Sequence, residues 1–341
     1  MNRYLVTGGA GFIGSNFLEY MLNKYPNDLL VCLDDLTYAG NLNNLDPIIN
    51  NSNFVFVKGN ICNKELVNSL FNKYRFDIVI NLAAETHVDR SINNPDIFYK
   101  SNIIGTTVLL DACLKFGKVK FHQVSTDEVY GDLSLGSKYR FTEESILRPS
   151  SPYSSSKASA DLITLSYFRT YGLPVTISRC SNNFGPNQHL EKLIPLVISK
   201  ALNDEKIPVY GTGLNIRDWI YVDDHSSALD LIIDKGQAGQ IYNVSTHRWI
   251  RESRDKNRQA GQIYNVSTHN EKTNLEIIKQ ILEMIDKPES LINFVSDRPG
   301  HDRRYALDST KLEKLGWTYS NNNFNMNLQR TIDSYLCKSK K

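Results

Sequence analysis

Residues Arg3 to Gly14 read RYLVTGGAGFIG, and this stretch decides the fold. Arg3–Thr7 is a short, mostly apolar run of the kind that forms a buried strand. Glycines follow at 8, 11 and 14, and a helix is expected from about Phe12 to Lys24. Gly8 permits a tight turn. Gly11 lets the backbone approach a pyrophosphate at the helix N-terminus, and Gly14 allows close helix–strand packing. A glycine pattern alone is weak evidence; a strand before it and a helix after it supply the context. A second strand over Leu29–Leu33 ends in Asp34, where a ribose-binding acid is expected. A carboxylate there accepts hydrogen bonds from a free 2′-hydroxyl and repels a 2′-phosphate. Asp35 adds negative charge in the same place, so the expected cofactor is NAD, not NADP.

Outward from this stretch the pattern repeats. Strands are expected at Phe54–Lys58, Asp77–Leu82, Phe121–Ser125 and Val175–Ser178. Helices are expected at Glu65–Lys73, at Ile103–Phe116 and in a long run after Tyr153. Alternating helices and near-continuous apolar strands indicate a doubly wound parallel Rossmann sheet, covered on both faces, in the α/β class. Past about Asn182 the alternation weakens and proline, glycine and asparagine increase. That region reads as a smaller C-terminal α/β lobe that contacts substrate. The expected division is residues 1–180 plus about 217–247 for the dinucleotide domain, with about 181–216 and 270–333 for the second lobe. The string QAGQIYNVSTH occurs twice, at Gln237–His247 and Gln259–His269, around a basic segment, Arg248–Arg258. Two copies are too few for a repeat array, so residues 237–269 read as a local tandem duplication. Both copies cannot fill one strand slot; one should form an extra loop or an edge strand.

The 341 residues are 41% hydrophobic and 22% charged, which suits a globular chain with a sizeable core. A net charge of +2 gives no bulk electrostatic case for nucleic acid or a membrane surface. No apolar run is long enough to span a bilayer, and the N-terminus does not read as a signal peptide. Five widely spaced cysteines without a C-x-x-C pair suit reduced thiols in a cytoplasmic protein. No metal-ligand spacing is present, and no metal is expected.

Tyr153 and Lys157, in YSSSK, share one face at the start of the long helix. An ammonium near a phenol favours the phenolate, which makes Tyr153 a candidate general base. After an N-terminal dinucleotide pattern, this pair resembles the extended short-chain dehydrogenase/reductase family. The resemblance implies a hydroxyl residue beyond a strand, and Thr126 in Val124-Ser125-Thr126 supplies it. Asp127 and Glu128 come next. Simple oxidation and 4-epimerisation need no such acid–base pair, whereas an elimination can use both.

Several strings resemble the dTDP-glucose 4,6-dehydratase family: STDEVYG at Ser125–Gly131, DDLTYAGN from Asp34, AAETHVDRSI from Ala83, EKLIP from Glu191, IRDW from Ile216 and RPGHDRRY from Arg298. The resemblance implies oxidation of a hexose at C4 by NAD, loss of water across C5–C6, and hydride return to C6. Tyr153 would take the C4-hydroxyl proton, Glu128 the C5 proton, and Asp127 would protonate the departing C6 hydroxyl. It implies cofactor contacts from Gly8, Gly11, Phe12, Ile13, Gly14, Asp34, Asp35, Asn60, Ile61, Ala83, Tyr153 and Lys157. Glu85 and Thr86 would lie beside the sugar. Asn182, Lys192 and Leu193, with Arg217 and Arg298, would serve the diphosphate or nucleoside, and Pro208, Tyr210, Asn274 and His301 would line the nucleoside end. It also implies a homodimer through about Pro95–Phe116 and Ser154–Tyr171, and a product that feeds rhamnose or other deoxysugars. Asn60 stands where the family usually has aspartate, Thr86 replaces serine and Phe184 replaces tyrosine. The GPNQ string after Phe184 resembles UDP-glucose 4,6-dehydratases, so UDP is the alternative to dTDP. An epimerase and a non-catalytic dinucleotide-sensing module are the remaining alternatives.

Overall fold

In the computed structural model, which describes residues 1–245, 271–319 and 323–339, the opening stretch folds as strand β1 (Arg3–Thr7), a turn, and helix α1 (Phe12–Lys24). The chain continues through β2 (Leu29–Asp34), β3 (Phe54–Lys58), α2 (Lys64–Tyr74) and β4 (Ile78–Asn81). Short helices α3 (Val88–Asn93) and α4 (Pro95–Phe98) lead through a π-helical turn at Tyr99–Gly105 into α5 (Thr106–Lys115). Then come β5 (Lys120–Thr126), α6 (Pro152–Tyr171) and β6 (Val175–Cys180). A Ser151–Ser154 capping box and Pro152 in the first turn start α6, and Gly172 in the left-handed region ends it.

The chain then leaves the sheet for β7 (Asn182–Phe184), α7 (Leu193–Leu202), β8 (Ile207–Tyr210) and β9 (Ile216–Tyr221). It returns through α8 (Val222–Lys235) and β10 (Gln240–Val244). The parallel sheet runs β10-β6-β5-β4-β1-β2-β3, with the order reversing at β1. Its strands are buried on both faces because alternate residues feed two cores. Leu5, Val31, Val79 and Phe121 face α2 and α5, while Val6, Leu30, Cys32 and Ile80 face α1.

The second lobe adds β11 (Glu271–Thr273), α9 (Asn274–Met284), β12 (Ile292–Val295), α10 (Thr310–Lys314) and α11 (Phe324–Ser339). β9 pairs with β7 and β11, and β8 with β12. Residues 216–221 therefore sit in the second lobe's sheet, while α8 and β10 belong to the first. Phe184, Ile194, Val197, Trp219, Ile277 and Leu328 share the second core. Phe184 packs on Trp219, Tyr221 and Phe324, so its ring is core and needs no hydroxyl partner.

The first copy of the duplicated string supplies β10, the edge strand beside β6. The second copy, Gln259–His269, and the basic segment Arg248–Arg258 lie outside the described residues. Among the described residues, no helix is long and apolar enough to cross a membrane, and no cluster of His, Cys, Asp and Glu could hold a metal ion. All five cysteines are free.

Candidate active site

A cavity of about 510 Å³ opens where the strand order reverses, at the carboxyl ends of β1, β4 and β5. Gly8, Gly11, Phe12, Ile13 and Gly14 line it, and so do Asp34, Asp35, Asn60, Ile61 and Ala83. Gly8 has φ +71°, and a Cβ there would sit 2.6 Å from the Ala83 nitrogen. A Cβ at Gly14 would lie 2.3 Å from the Gly8 oxygen. At Gly11 a Cβ would meet only the Gly8 oxygen, at 3.3 Å. The fold itself thus demands glycine at 8 and 14. At 11 the protein itself sets no comparable barrier, which leaves room for a ligand to approach the backbone. Gly11 caps α1 without a side-chain bond, and no acid occupies the first turn, so the free N–H groups suit an anion.

The Asp34 carboxylate accepts bonds from the Ala10 and Leu36 backbones at 2.9 and 2.8 Å. These fix its plane, and each oxygen retains a lone pair toward the cavity. Asn60 donates to Asp35 at 2.8 Å, and its own oxygen accepts from the Cys62 N–H. That oxygen has one lone pair left for a further donor. The hydroxyls of Ser125 and Ser181 line the same cavity, buried and without a partner in the protein. Anion-binding helix end, ribose acid and orphaned donors together fit an extended dinucleotide.

Thr126, Asp127, Glu128, Tyr153 and Lys157 converge on the other part of the cavity. A short helical turn, Asp127–Tyr130, follows β5 directly, with Thr126 as its cap. This turn holds both acids against the start of α6. Asp127 is 2% exposed. Its Oδ1 accepts from the Thr126 hydroxyl at a long 3.3 Å, and its Oδ2 has no partner. Burial, then the Glu128 charge, push its proton affinity well above the usual carboxylate range. Glu128 is only partly buried. Burial raises it too, but Lys192, Arg217 and Arg298 pull the other way. Both carboxyls are thus raised, Asp127 the more strongly, while Lys192, Arg217 and Arg298 offset part of the rise at Glu128.

The Lys157 ammonium donates to the Val124 carbonyl at 2.7 Å, and burial lowers its proton affinity. Burial, then Glu128, raise Tyr153 well above the ordinary phenol value, with a Thr126 hydrogen bond opposing.

Of the residues expected at the substrate, Glu85, Thr86, Asn182 and Lys192 line the cavity. Lys192 donates to the Thr86 carbonyl at 3.2 Å, and Glu85 Oε2 is buried without a partner. Leu193, Pro208, Tyr210, Arg217, Asn274, Arg298 and His301 do not line it. Arg217 stacks 4.4 Å over the Tyr305 ring and donates to the Asp302 carbonyl. Arg298 lies 3.5 Å from Asp89, which also accepts from the Tyr210 hydroxyl. His301 packs edge-on to Tyr210. Pro208 is two residues before Tyr210 on β8, Asn274 opens α9, and Leu193 packs toward the second core. Sequence reasoning missed Tyr38 and His189, whose rings meet at 5.6 Å across the cavity from opposite lobes. Arg90 stacks 3.7 Å over Tyr38. Their only signal was membership of the DDLTYAGN and AAETHVDRSI strings and the loop before α7.

The chain has close relatives. A family model described as GDP-mannose 4,6 dehydratase matches residues 5–330. The low-salt glycan biosynthesis protein Agl12 of Haloferax volcanii is 45% identical, over 97% of this chain and 98% of that protein. The dTDP-glucose 4,6-dehydratase of Haemophilus influenzae is 42% identical over 99% of each chain. The crystal structure of DesIV, a dTDP-glucose 4,6-dehydratase from Streptomyces venezuelae with NAD and TYD bound, superposes with a TM-score of 0.89. It is 40% identical over 99% of this chain and 98% of its own.

Proposed function

The chain belongs to the GDP-mannose 4,6-dehydratase family of extended short-chain dehydrogenase/reductases, and from that premise we propose that it is an NAD-dependent hydro-lyase converting dTDP-glucose to dTDP-4-keto-6-deoxyglucose and water. One observation carries the reading: Asp127, buried with an unpartnered carboxylate oxygen, and its neighbour Glu128 lie side by side in the cavity that also holds Tyr153. An epimerase or simple oxidoreductase has no step for that pair.

When bound along Gly8–Gly14 and Asp34, NAD supplies the redox chemistry, taking a hydride from C4 of the sugar and giving it back at C6. Thr126 hydrogen-bonds the C4 oxygen, and Tyr153 accepts the C4-hydroxyl proton. Lys157, tied to the Val124 carbonyl, holds positive charge behind the phenol and orients the start of α6. The C4 ketone acidifies the C5 hydrogen. Glu128 removes that proton, and Lys192, Arg217 and Arg298 favour its charged form against the effect of burial. Asp127 gives its proton to the C6 hydroxyl, which leaves as water; Glu128 returns its proton to C5 as hydride reaches C6, and the proton that Tyr153 took from the C4 hydroxyl restores Asp127 by way of solvent. The burial of Asp127 and Tyr153 keeps bulk water from trapping the intermediate.

The second lobe supplies specificity. Lys192 and Asn182 face the diphosphate from within the cavity. Arg217 and Arg298, with Tyr210 and His301 around Asp89, receive the nucleoside end; Pro208, Asn274 and Leu193 shape its wall. In this division, residues 1–180 with α8 and β10 carry the cofactor, and the second lobe, which includes β9, carries the nucleotide. Exposed Tyr99, Ile104 and Leu162, on the stretch Tyr99–Gly105 and on α6, support a homodimer. Unpaired cysteines support a cytoplasmic location, and the product suits rhamnose or another deoxysugar. Incubation with dTDP-glucose and UDP-glucose followed by mass spectrometry tests the reading. Loss of one water from the dTDP sugar is expected, and an unchanged mass for both substrates would overturn it. Sedimentation at micromolar concentration should report a dimer; a monomer would remove that part.

A further inference from the structure

The slot that β10 fills is shaped around a string the chain carries twice. Tyr242, Asn243, Val244 and Ser245 are buried in it. The Asn243 N–H donates to Glu143 at 2.8 Å, and its carboxamide donates to the Phe141 and Asp308 carbonyls at 3.0 and 3.2 Å. Its side-chain oxygen accepts from the Tyr130 hydroxyl at 2.8 Å. Ser245 donates to Asp218, and the Val244 carbonyl accepts from the Ser181 N–H at 3.1 Å. Gly239, at the entrance, has φ +80°, and a Cβ there would lie 2.3 Å from the Phe168 ring. All these groups belong to residues 237–245, and the second copy repeats them in order. Gly261 matches Gly239, Tyr264 matches Tyr242, Asn265 matches Asn243, Val266 matches Val244 and Ser267 matches Ser245. Side-chain chemistry gives the slot no means of telling one copy from the other.

The chain connections permit either copy. Asp218 of β9 stands directly opposite Glu271 of β11, and Asp218 is also the partner of Ser245. The end of the slot and the start of β11 thus meet on one residue. Opposed residues of an antiparallel pair have Cα atoms about 5 Å apart, so the gap is one strand spacing plus a side-chain bond. Ser267 and Glu271 are four residues apart, and four residues span up to about 13 Å. With the second copy seated, the connection to β11 closes directly. The copies start 22 residues apart, at Gln237 and Gln259. Those 22 residues then lie between Gly236, which ends α8, and Gln259. With the first copy seated, an insertion of the same length lies between the slot and β11. Closure entropy depends on loop length, so the two arrangements cost nearly the same.

We propose that the two copies share the β10 slot, so that the protein exchanges between one form with Gln240–Val244 paired to β6 and another with residues 262–266 in the same place. One slot with two equal candidates is a two-state element built into the chain. The exchange also moves the basic segment, residues 248–258. It follows the seated strand in the first form and precedes it in the second. Because β10 runs parallel to β6, the segment leaves from the carboxyl end of the sheet, where the cavity opens, in one form and enters at the amino end in the other. The inference does not depend on which reaction the cavity supports.

The test compares the thermal unfolding of the full chain with Val244→Asp, Val266→Asp and the double variant. A carboxylate in place of a fully buried valine is strongly disfavoured in the slot. Each single variant keeps one intact copy, so its Tm should fall by less than about 4 °C. The double variant should lose more than about 10 °C or fail to fold. A full loss in one single variant with no change in the other shows one fixed occupant and overturns the proposal. So do equal, small losses in all three. Hydrogen exchange gives a second readout, with the two strings told apart by peptides that include their different flanks. Amides of both copies should be partly protected in wild type, and the intact copy of each single variant should be fully protected. Protection confined to one copy in wild type overturns the exchange. Full protection of both at once, which requires two paired strands, overturns it as well.

Discussion

Replacing Asp127 by asparagine should make the protein more stable as it makes the enzyme inactive, and the gain should grow with pH. The carboxyl is 2% exposed, one oxygen has no partner, and Glu128 lies beside it. Its folded proton affinity therefore exceeds that of the unfolded chain, where an aspartate titrates near 3.9. Between that value and the raised folded one, the native state binds a proton that the unfolded state has lost. Stability of the wild type then falls as pH rises, by up to about 1.4 kcal/mol per pH unit for this one group. Asparagine at 127 binds no proton in either state, and Glu128 sees a neutral neighbour in both proteins. The difference in unfolding free energy, variant minus wild type, should thus climb across the window at up to that slope. Urea unfolding of the NAD-loaded proteins at about pH 5, 6.5 and 8 measures it. A difference that stays flat or shrinks as pH rises would refute the reasoning that Asp127 is held protonated. In parallel the variant should lose at least ~100-fold in dehydration, the scale of removing a general acid.

Tyr153→Phe should cost at least ~100-fold in turnover while NAD remains bound, and a near-normal rate would remove its role as base. Glu128→Gln should stall after C4 oxidation, with the absorbance of reduced nicotinamide accumulating on the enzyme; steady product release without that signal would contradict it. Gly14→Ala should fail to fold stably, because its Cβ meets the Gly8 oxygen at 2.3 Å. Gly11→Ala should change apo stability by no more than about 1 kcal/mol yet weaken NAD binding, measurable by calorimetry. Equal stability losses in the two glycine variants would contradict the separate roles assigned to them.

The first lobe was legible because its signals are local. β1, the glycine turn, α1 and Asp34 lie within one βαβ unit, and their boundaries fall within a residue of the sequence reading. Tyr153 and Lys157 share a helix face, and Asp127–Glu128 are adjacent, so spacing alone placed each pair. What joins the pairs is the pairing of β5 with β6 and the packing of α6, which spacing does not encode. The stretch Ile103–Phe116 reads as one helix because its apolar period is continuous, and the π-helical turn over Tyr99–Gly105 leaves no mark in that period. The partner of Lys157 was missed because a backbone carbonyl leaves no mark in sequence. β9 was assigned with the first lobe, whereas its partners β7 and β11 lie far away along the chain. In the second lobe, Arg217, Arg298 and His301 stand outside the main cavity, and only the motif strings pointed to them.

The most direct measurement uses dTDP-glucose deuterated at C4, with product position read by NMR and mass. Loss of one water and deuterium at C6 are expected, because one cofactor carries the hydride from C4 to C6 while Asp127 and Glu128 move the protons. Deuterium retained at C4 in a sugar of unchanged mass would contradict it.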